Sequence, residues 1–193
     1  MKIAVLALQG AFIEHEHILE KLGAEVLEIR NLTDLEQPFD ALVLPGGEST
    51  VMGRLLREEQ LLEPLREKIQ AGMPVLATCA GLILLAAHSS NDDRVYFGTM
   101  PVTVKRNAYG RQLGSFETSG MIAHVGNFPM RFIRAPYIEE TGEGVEVLAT
   151  VEGKVVAARY GNQLGLAFHP ELTQDTGVHA YFLRIISDAN AIG

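Results

Sequence analysis

The sequence predicts an open α/β fold: a mostly parallel sheet with helices on both faces, extended by antiparallel strands in the second half of the chain. Apolar runs alternate with helical patterns through roughly the first 90 residues, as βαβ units require. The early runs are continuously apolar rather than alternating, as in strands buried on both faces. After that point the helical patterns give way to short strands punctuated by glycine-containing turns.

Residues 2–8 (KIAVLAL) form the first apolar run, broken by Gln9-Gly10. Residues 11–22 show helical spacing through Phe12, Ile13, Leu19 and Leu22, and Gly23 supplies the stop. Strands follow at 25–29 and 40–44, the latter ended by Pro45-Gly46-Gly47. Helices are predicted at about 49–57 and 61–70, closed by Gly72, then a strand at 73–78 and an apolar helix at 80–87. The polar stretch 88–94 reads as a surface loop. Short strands are predicted at 96–104, 116–125, 130–135, 145–151, 154–160 and 164–168, with hairpin turns at Glu152-Gly153 and Gly161-Asn162. A final helix at about 175–189 packs back through Val178, Tyr181, Phe182, Ile185 and Ile186.

The length, 193 residues, suits a single domain spanning 1–193, and a hydrophobic content of 47% argues against disorder. No apolar run looks long enough to span a bilayer, and the first residues read as a strand rather than a signal peptide. A cytoplasmic enzyme is the expectation. The net charge of −8 argues against nucleic-acid binding, which needs a basic surface. The single cysteine, Cys79, can make neither an internal disulfide nor a multi-cysteine zinc site.

Cys79 lies between a buried strand and an apolar helix, and its neighbours Ala77, Thr78, Ala80 and Gly81 are all small. A sharp strand-to-helix turn that presents a nucleophile needs such neighbours. It would place the sulfur at the C-terminal ends of the strands, where open α/β sheets bind ligands. A helix N-terminus and a nearby imidazolium both favour thiolate. Of the six histidines, His169 ends the apolar run 164–168 and precedes Pro170-Glu171. If the chain stays extended through Pro170, His169 and Glu171 point the same way, and the carboxylate can orient the imidazole. His15 and His17 are two apart on a helix and read as a solvated face.

Gly46-Gly47 can form a turn whose N–H groups, with that of Ala80, would hold an oxyanion, although in isolation it also fits an ordinary tight turn. Glu48 beside it could take an α-ammonium group. Arg106 could take a substrate carboxylate bidentately, or belong to a solvated basic loop.

Taken in order, Leu8-Gln9-Gly10 with Glu14-His15, Leu44-Pro45-Gly46-Gly47-Glu48-Ser49-Thr50, Thr78-Cys79-Ala80-Gly81-Leu82-Ile83, Arg106-Asn107-Ala108-Tyr109-Gly110-Arg111-Gln112, Phe132-Ile133-Arg134-Ala135-Pro136 and Phe168-His169-Pro170-Glu171-Leu172 resemble the glutaminase subunits of pyridoxal 5′-phosphate synthase. The resemblance implies a flavodoxin-like fold. It implies Cys79 as nucleophile, His169 as general base and acid, and Glu171 as orienting carboxylate. Gly47, Glu48, Ser49, Arg106, Ile133 and Arg134 would line a pocket for L-glutamine. Gln9 would lie near the oxyanion region and the interface with the synthase subunit. That partner would build pyridoxal 5′-phosphate from ribose 5-phosphate, glyceraldehyde 3-phosphate and the delivered ammonia. One departure is Ala77, where class I amidotransferases commonly have glycine; it is expected to be a tolerated variant.

The implied chemistry is acyl transfer through a cysteine thioester, which needs neither metal nor organic cofactor. Two rival readings share parts of the pattern. One is the glutaminase of another amidotransferase, such as imidazole glycerol phosphate synthase. The other is a non-catalytic, redox-sensing module with an elbow cysteine, which would need no base at residue 169.

Overall fold

The computed structural model describes residues 1–108 and 114–192. Its first half runs β1 (Lys2–Leu6), α1 (Phe12–Lys21), β2 (Glu25–Ile29), β3 (Ala41–Leu44), α2 (Ser49–Glu58), α3 (Leu62–Gln70), β4 (Val75–Thr78) and α4 (Ala80–Leu85). The second half contains β5 (Ala86–Ser89), β6 (Met100–Lys105), β7 (Ser115–Ile122), β8 (Gly126–Ile133), β9 (Tyr137–Thr141), β10 (Glu146–Val151), β11 (Lys154–Tyr160), β12 (Gln163–Leu166) and α5 (Gly177–Ile192).

The central strands of the parallel half have no polar face. Ile3–Leu6 of β1 and every residue of β3, β4 and β12 are buried, so both sides of the sheet must be covered. The order is β2-β1-β3-β4-β12-β11-β9-β6-β5, with β10 also paired to β11. Pairing is parallel from β2 through β12 and turns antiparallel at β11. The mostly parallel open sheet with an antiparallel extension is therefore the fold that the sequence predicts. β7 and β8 form a separate two-stranded sheet.

Local chemistry sets the helix ends. After α1, the N–H of Gly23 bonds Glu20 O at 2.9 Å and that of Ala24 bonds Leu19 O at 3.0 Å, with Gly23 at φ +86°. This left-handed cap needs a glycine and ends the helix where the sequence suggests. α5 packs on the sheet through Val178, Phe182, Ile185 and Ile186, all buried.

Three elements differ from expectation. The helix predicted at 80–87 ends at Leu85, because Ala86 turns extended and β5 pairs in parallel with β6. Alanine-rich sequence favours helix locally, and strand pairing overrides it. The strand predicted from 96 begins at Met100, although Tyr96 and Phe97 are buried. β9 was not foreseen: only Ile138 within it is buried, so it carries almost no apolar pattern, yet it bridges β6 and β11. Among the described residues no helix is long and apolar enough to cross a membrane.

Candidate active site

Four parallel strands, β1, β3, β4 and β12, deliver their C-terminal ends to one edge of the sheet. The segments just beyond those ends build the site: Gln9-Gly10, Gly46-Gly47-Glu48, Cys79 and His169.

Cys79 joins β4 to α4 with φ +49° and ψ −103°. A side chain at positive φ is strained, by about 1–3 kcal/mol, and persists only where its surroundings fix it. Here the Cys79 N–H donates to Leu166 O at 2.8 Å, tying the turn to β12. α4 presses on β3 so closely that a Cβ on Gly81 would stand 2.1 Å from Leu44 O. Close packing is thus the reason for small residues after the nucleophile. Ala77 is paired in the β4 ladder with Leu44 and Gly165 and is not among the residues with positive φ, so it meets no backbone strain.

Cys79 is 6% exposed, and its Sγ lies 3.8 Å from Ile133 O. His169 and Glu171 are also buried, and His169 Nδ1 stands 2.6 Å from Glu171 Oε1. The chain does not reach this contact by staying extended. Pro170–Leu172 form a turn of 3-10 helix, so Glu171 returns to the imidazole through a tight turn rather than through strand periodicity. Burial opposes a charge on His169, but hydrogen bonds to Cys79 and Glu171, and attraction to both, outweigh it and raise its pKa from 6.5 to about 10.

Gly46 and Gly47 are tight approaches. A Cβ on Gly46 would lie 2.2 Å from His169 Cε1, and one on Gly47 would lie 2.4 Å from Gln9 Oε1. Gln9 Oε1 accepts the Glu48 N–H at 2.8 Å, and the Ala11 N–H donates to Gly46 O at 2.9 Å. The turn after β3 is therefore held by the turn after β1. Ala80 opens α4, so its N–H has no acceptor within the helix.

A cleft of about 510 Å³ opens above the sulfur. Of the residues proposed from sequence, Gln9, Gly47, Glu48, Ser49 and Ala80 line it. Arg106, Ile133 and Arg134 line it as well. Gly46 is buried behind this surface, against His169. Arg106 is not a free surface charge: its guanidinium pairs with Asp92 and reaches Thr50 Oγ1 at 3.3 Å. Asp92 and Thr50 were not foreseen as its partners. Tyr109, Gly110, Arg111 and Gln112 of the same motif lie outside the described residues. Among the described residues no group of three or more His, Cys, Asp or Glu is placed to hold a metal.

His15 is not on the solvated face that its spacing from His17 suggests. It is fully buried, with Nδ1 2.9 Å from His179 Nε2 and Nε2 3.2 Å from Thr78 Oγ1. Its Nε2 is 3.5 Å from Glu171 Oε2. A signal was available: Phe12, His15 and Leu19 are spaced three and four apart, on one face of α1. His17 is exposed, as expected.

The architecture has solved counterparts. A structure described as glutamine amidotransferase superposes with a TM-score of 0.91 at 42% identity, covering 96% of this chain and 98% of the other. A glutamine amidotransferase from Thermotoga maritima shares the fold at a TM-score of 0.62 and 16% identity, over 97% of this chain and 85% of that one. Residues 5–188 match the SNO glutamine amidotransferase family, and the chain belongs to that family. Similar curated proteins are the pyridoxal 5′-phosphate synthase subunits PdxT of Desulfitobacterium hafniense strain Y51 and of Methanocorpusculum labreanum. The first is 62% identical, over 99% of this chain and 96% of that protein. The second is 58% identical, over 98% of this chain and all (100%) of that protein.

Proposed function

We propose that residues 1–193 form one glutaminase domain that hydrolyses L-glutamine to L-glutamate and ammonia, and that serves as the glutaminase subunit of a pyridoxal 5′-phosphate synthase. The observation that carries the chemistry is that Cys79 and His169 line the same cleft, with His169 Nδ1 2.6 Å from Glu171 Oε1. The names of relatives 53–62% identical support this place in the synthase over the two rival readings.

The Cys79 thiolate attacks the side-chain amide carbon of glutamine. The N–H groups of Gly47 and Ala80 hold the oxyanion, with Gly46 shaping the turn. The His169 imidazolium gives its proton to the leaving nitrogen as the C–N bond breaks, and ammonia departs from a thioester. His169 then takes a proton from water, whose oxygen attacks the thioester carbon; glutamate leaves and the thiolate is restored. Glu171 orients the ring throughout. Glu48 offers a carboxylate to the substrate ammonium, and Arg106 and Arg134 offer guanidinium groups to its carboxylate. Ser49 and Ile133 complete the pocket, and Gln9 orders the oxyanion turn near the interface with the partner. No step requires a metal or organic cofactor. The cytoplasm suits a free thiol that must stay reduced.

Cys79→Ala should abolish glutamate release, by at least about 10³-fold, with a near-unchanged circular dichroism spectrum and melting profile. Retained glutamate release by the folded variant removes the thioester mechanism.

A further inference from the structure

Behind Glu171 lies a buried polar cluster that this chemistry does not use. His15 comes from α1, Thr78 from β4, His179 from α5 and Glu171 from the turn after β12. They meet with both histidines fully buried. Glu171 Oε1 faces His169, whereas Oε2 is buried and has no hydrogen-bond partner within normal distance. His15 Nε2 stands 3.5 Å from this oxygen, and that nitrogen also stands 3.2 Å from Thr78 Oγ1.

The tautomers follow from satisfaction of these groups. With the proton on His15 Nε2, the N–H is shared between the Thr78 hydroxyl and the Glu171 carboxylate. His15 Nδ1 then accepts from His179 Nε2–H across 2.9 Å. The atom left without a partner is His179 Nδ1, here an acceptor. The opposite assignment points a nitrogen lone pair at the carboxylate and strands a buried N–H on His179, the costlier orphan. Burial holds both rings neutral, His15 well below 6.5 and His179 at about 4. A neutral donor polarises the carboxylate without cancelling the charge that His169 needs.

We propose that His15 is a positioning residue for the Glu171 carboxylate, donating its Nε2–H toward Oε2 while His179 fixes the ring from behind. The proposal rests on the Cys79–His169–Glu171 reading above. It extends the line to five side chains, joining the segments after β4 and β12 to α1 and α5.

Two measurements test it. In His15→Leu, kcat for glutamate release should fall about 10- to 100-fold, the equivalent of one hydrogen bond to a charged group, while KM for glutamine stays within about threefold. His15→Gln, whose amide can donate from the same place, should recover most of that loss. Wild-type kcat in His15→Leu, or a Gln variant as slow as Leu but melting like wild type, overturns the role. Nitrogen-15 histidine NMR of the unaltered protein gives an answer even if His15→Leu does not fold. A neutral Nε2–H tautomer at pH 7 is expected for His15, and an Nδ1–H tautomer or a charged ring overturns it. An active Cys79→Ala variant would instead sink the thioester reading, whereas an inactive one beside a fully active His15→Leu sinks only the positioning role.

Discussion

Three imidazoles lie within one buried region and their environments drive them in opposite directions. His169 gains two negatively polarised partners and is raised to about 10. His179 gains none and is lowered to about 4, with burial the cause. The pH consequences have opposite signs. His169 contributes stability fully below about pH 6.5, and that contribution is lost as pH rises through about 10. For His179 the unfolded chain takes the proton first, so stability is full above about pH 6.5 and declines as pH falls toward about 4. That single site accounts for about 3 kcal/mol across the interval, and His15 acts in the same direction. The urea midpoint should therefore drop between pH 7 and pH 5, and His179→Phe should flatten the drop. Equal pH slopes in the variant and the parent would show that this ring is not held neutral. That Cys79 and His169 share one end of the sheet could be read from a strand end, small neighbours and a strand-terminal His-Pro-Glu. The second row, His15 and His179, could not, because a polar residue on a helix is read as solvated unless its spacing against Phe12 and Leu19 is weighed.

The packing of α4 on β3 shows why elements, and not only residues, specify the elbow. Gly81 lets the helix lie directly on the end of β3, and a methyl group there would meet a backbone carbonyl that cannot move aside. Gly81→Ala should cost about 1–3 kcal/mol or more, seen as a lowered melting temperature, because α4 must lift off the strand. It should also slow glutamine hydrolysis, since Cys79 moves with the helix. An unchanged melt would mean that α4 sits further out. The parallel half of the fold was legible because its central strands are apolar on both faces and separated by strong helix and turn signals. β5 and β9 were not, since pairing with β6 determines them and pairing leaves no local mark. The turn that carries Glu171 shows the same limit: His-Pro-Glu suggests proximity, and the observed 3-10 geometry reaches it by another route.

Across the molecule, the cleft opens where four strands end, and the proposed product is a small amine that water would protonate. Ammonium has no lone pair for attack, so delivery to a second active site requires a path closed to bulk solvent. With glutamine labelled with nitrogen-15 in its side-chain amide, the assembled synthase should place the label in its product even in excess unlabelled ammonium. Full dilution of the label would show that the nitrogen passes through solution. The sheet order has a further consequence, one of timing. β12 is the last strand in the sequence, yet it sits between β4 and β11 near the middle of the sheet. A chain emerging from the ribosome can pair β1 through β4 and make its sulfur long before the base exists. Until the residues around 169 have been added, the sulfur has no base beside it, because the strand that leads to His169 is the last to be made.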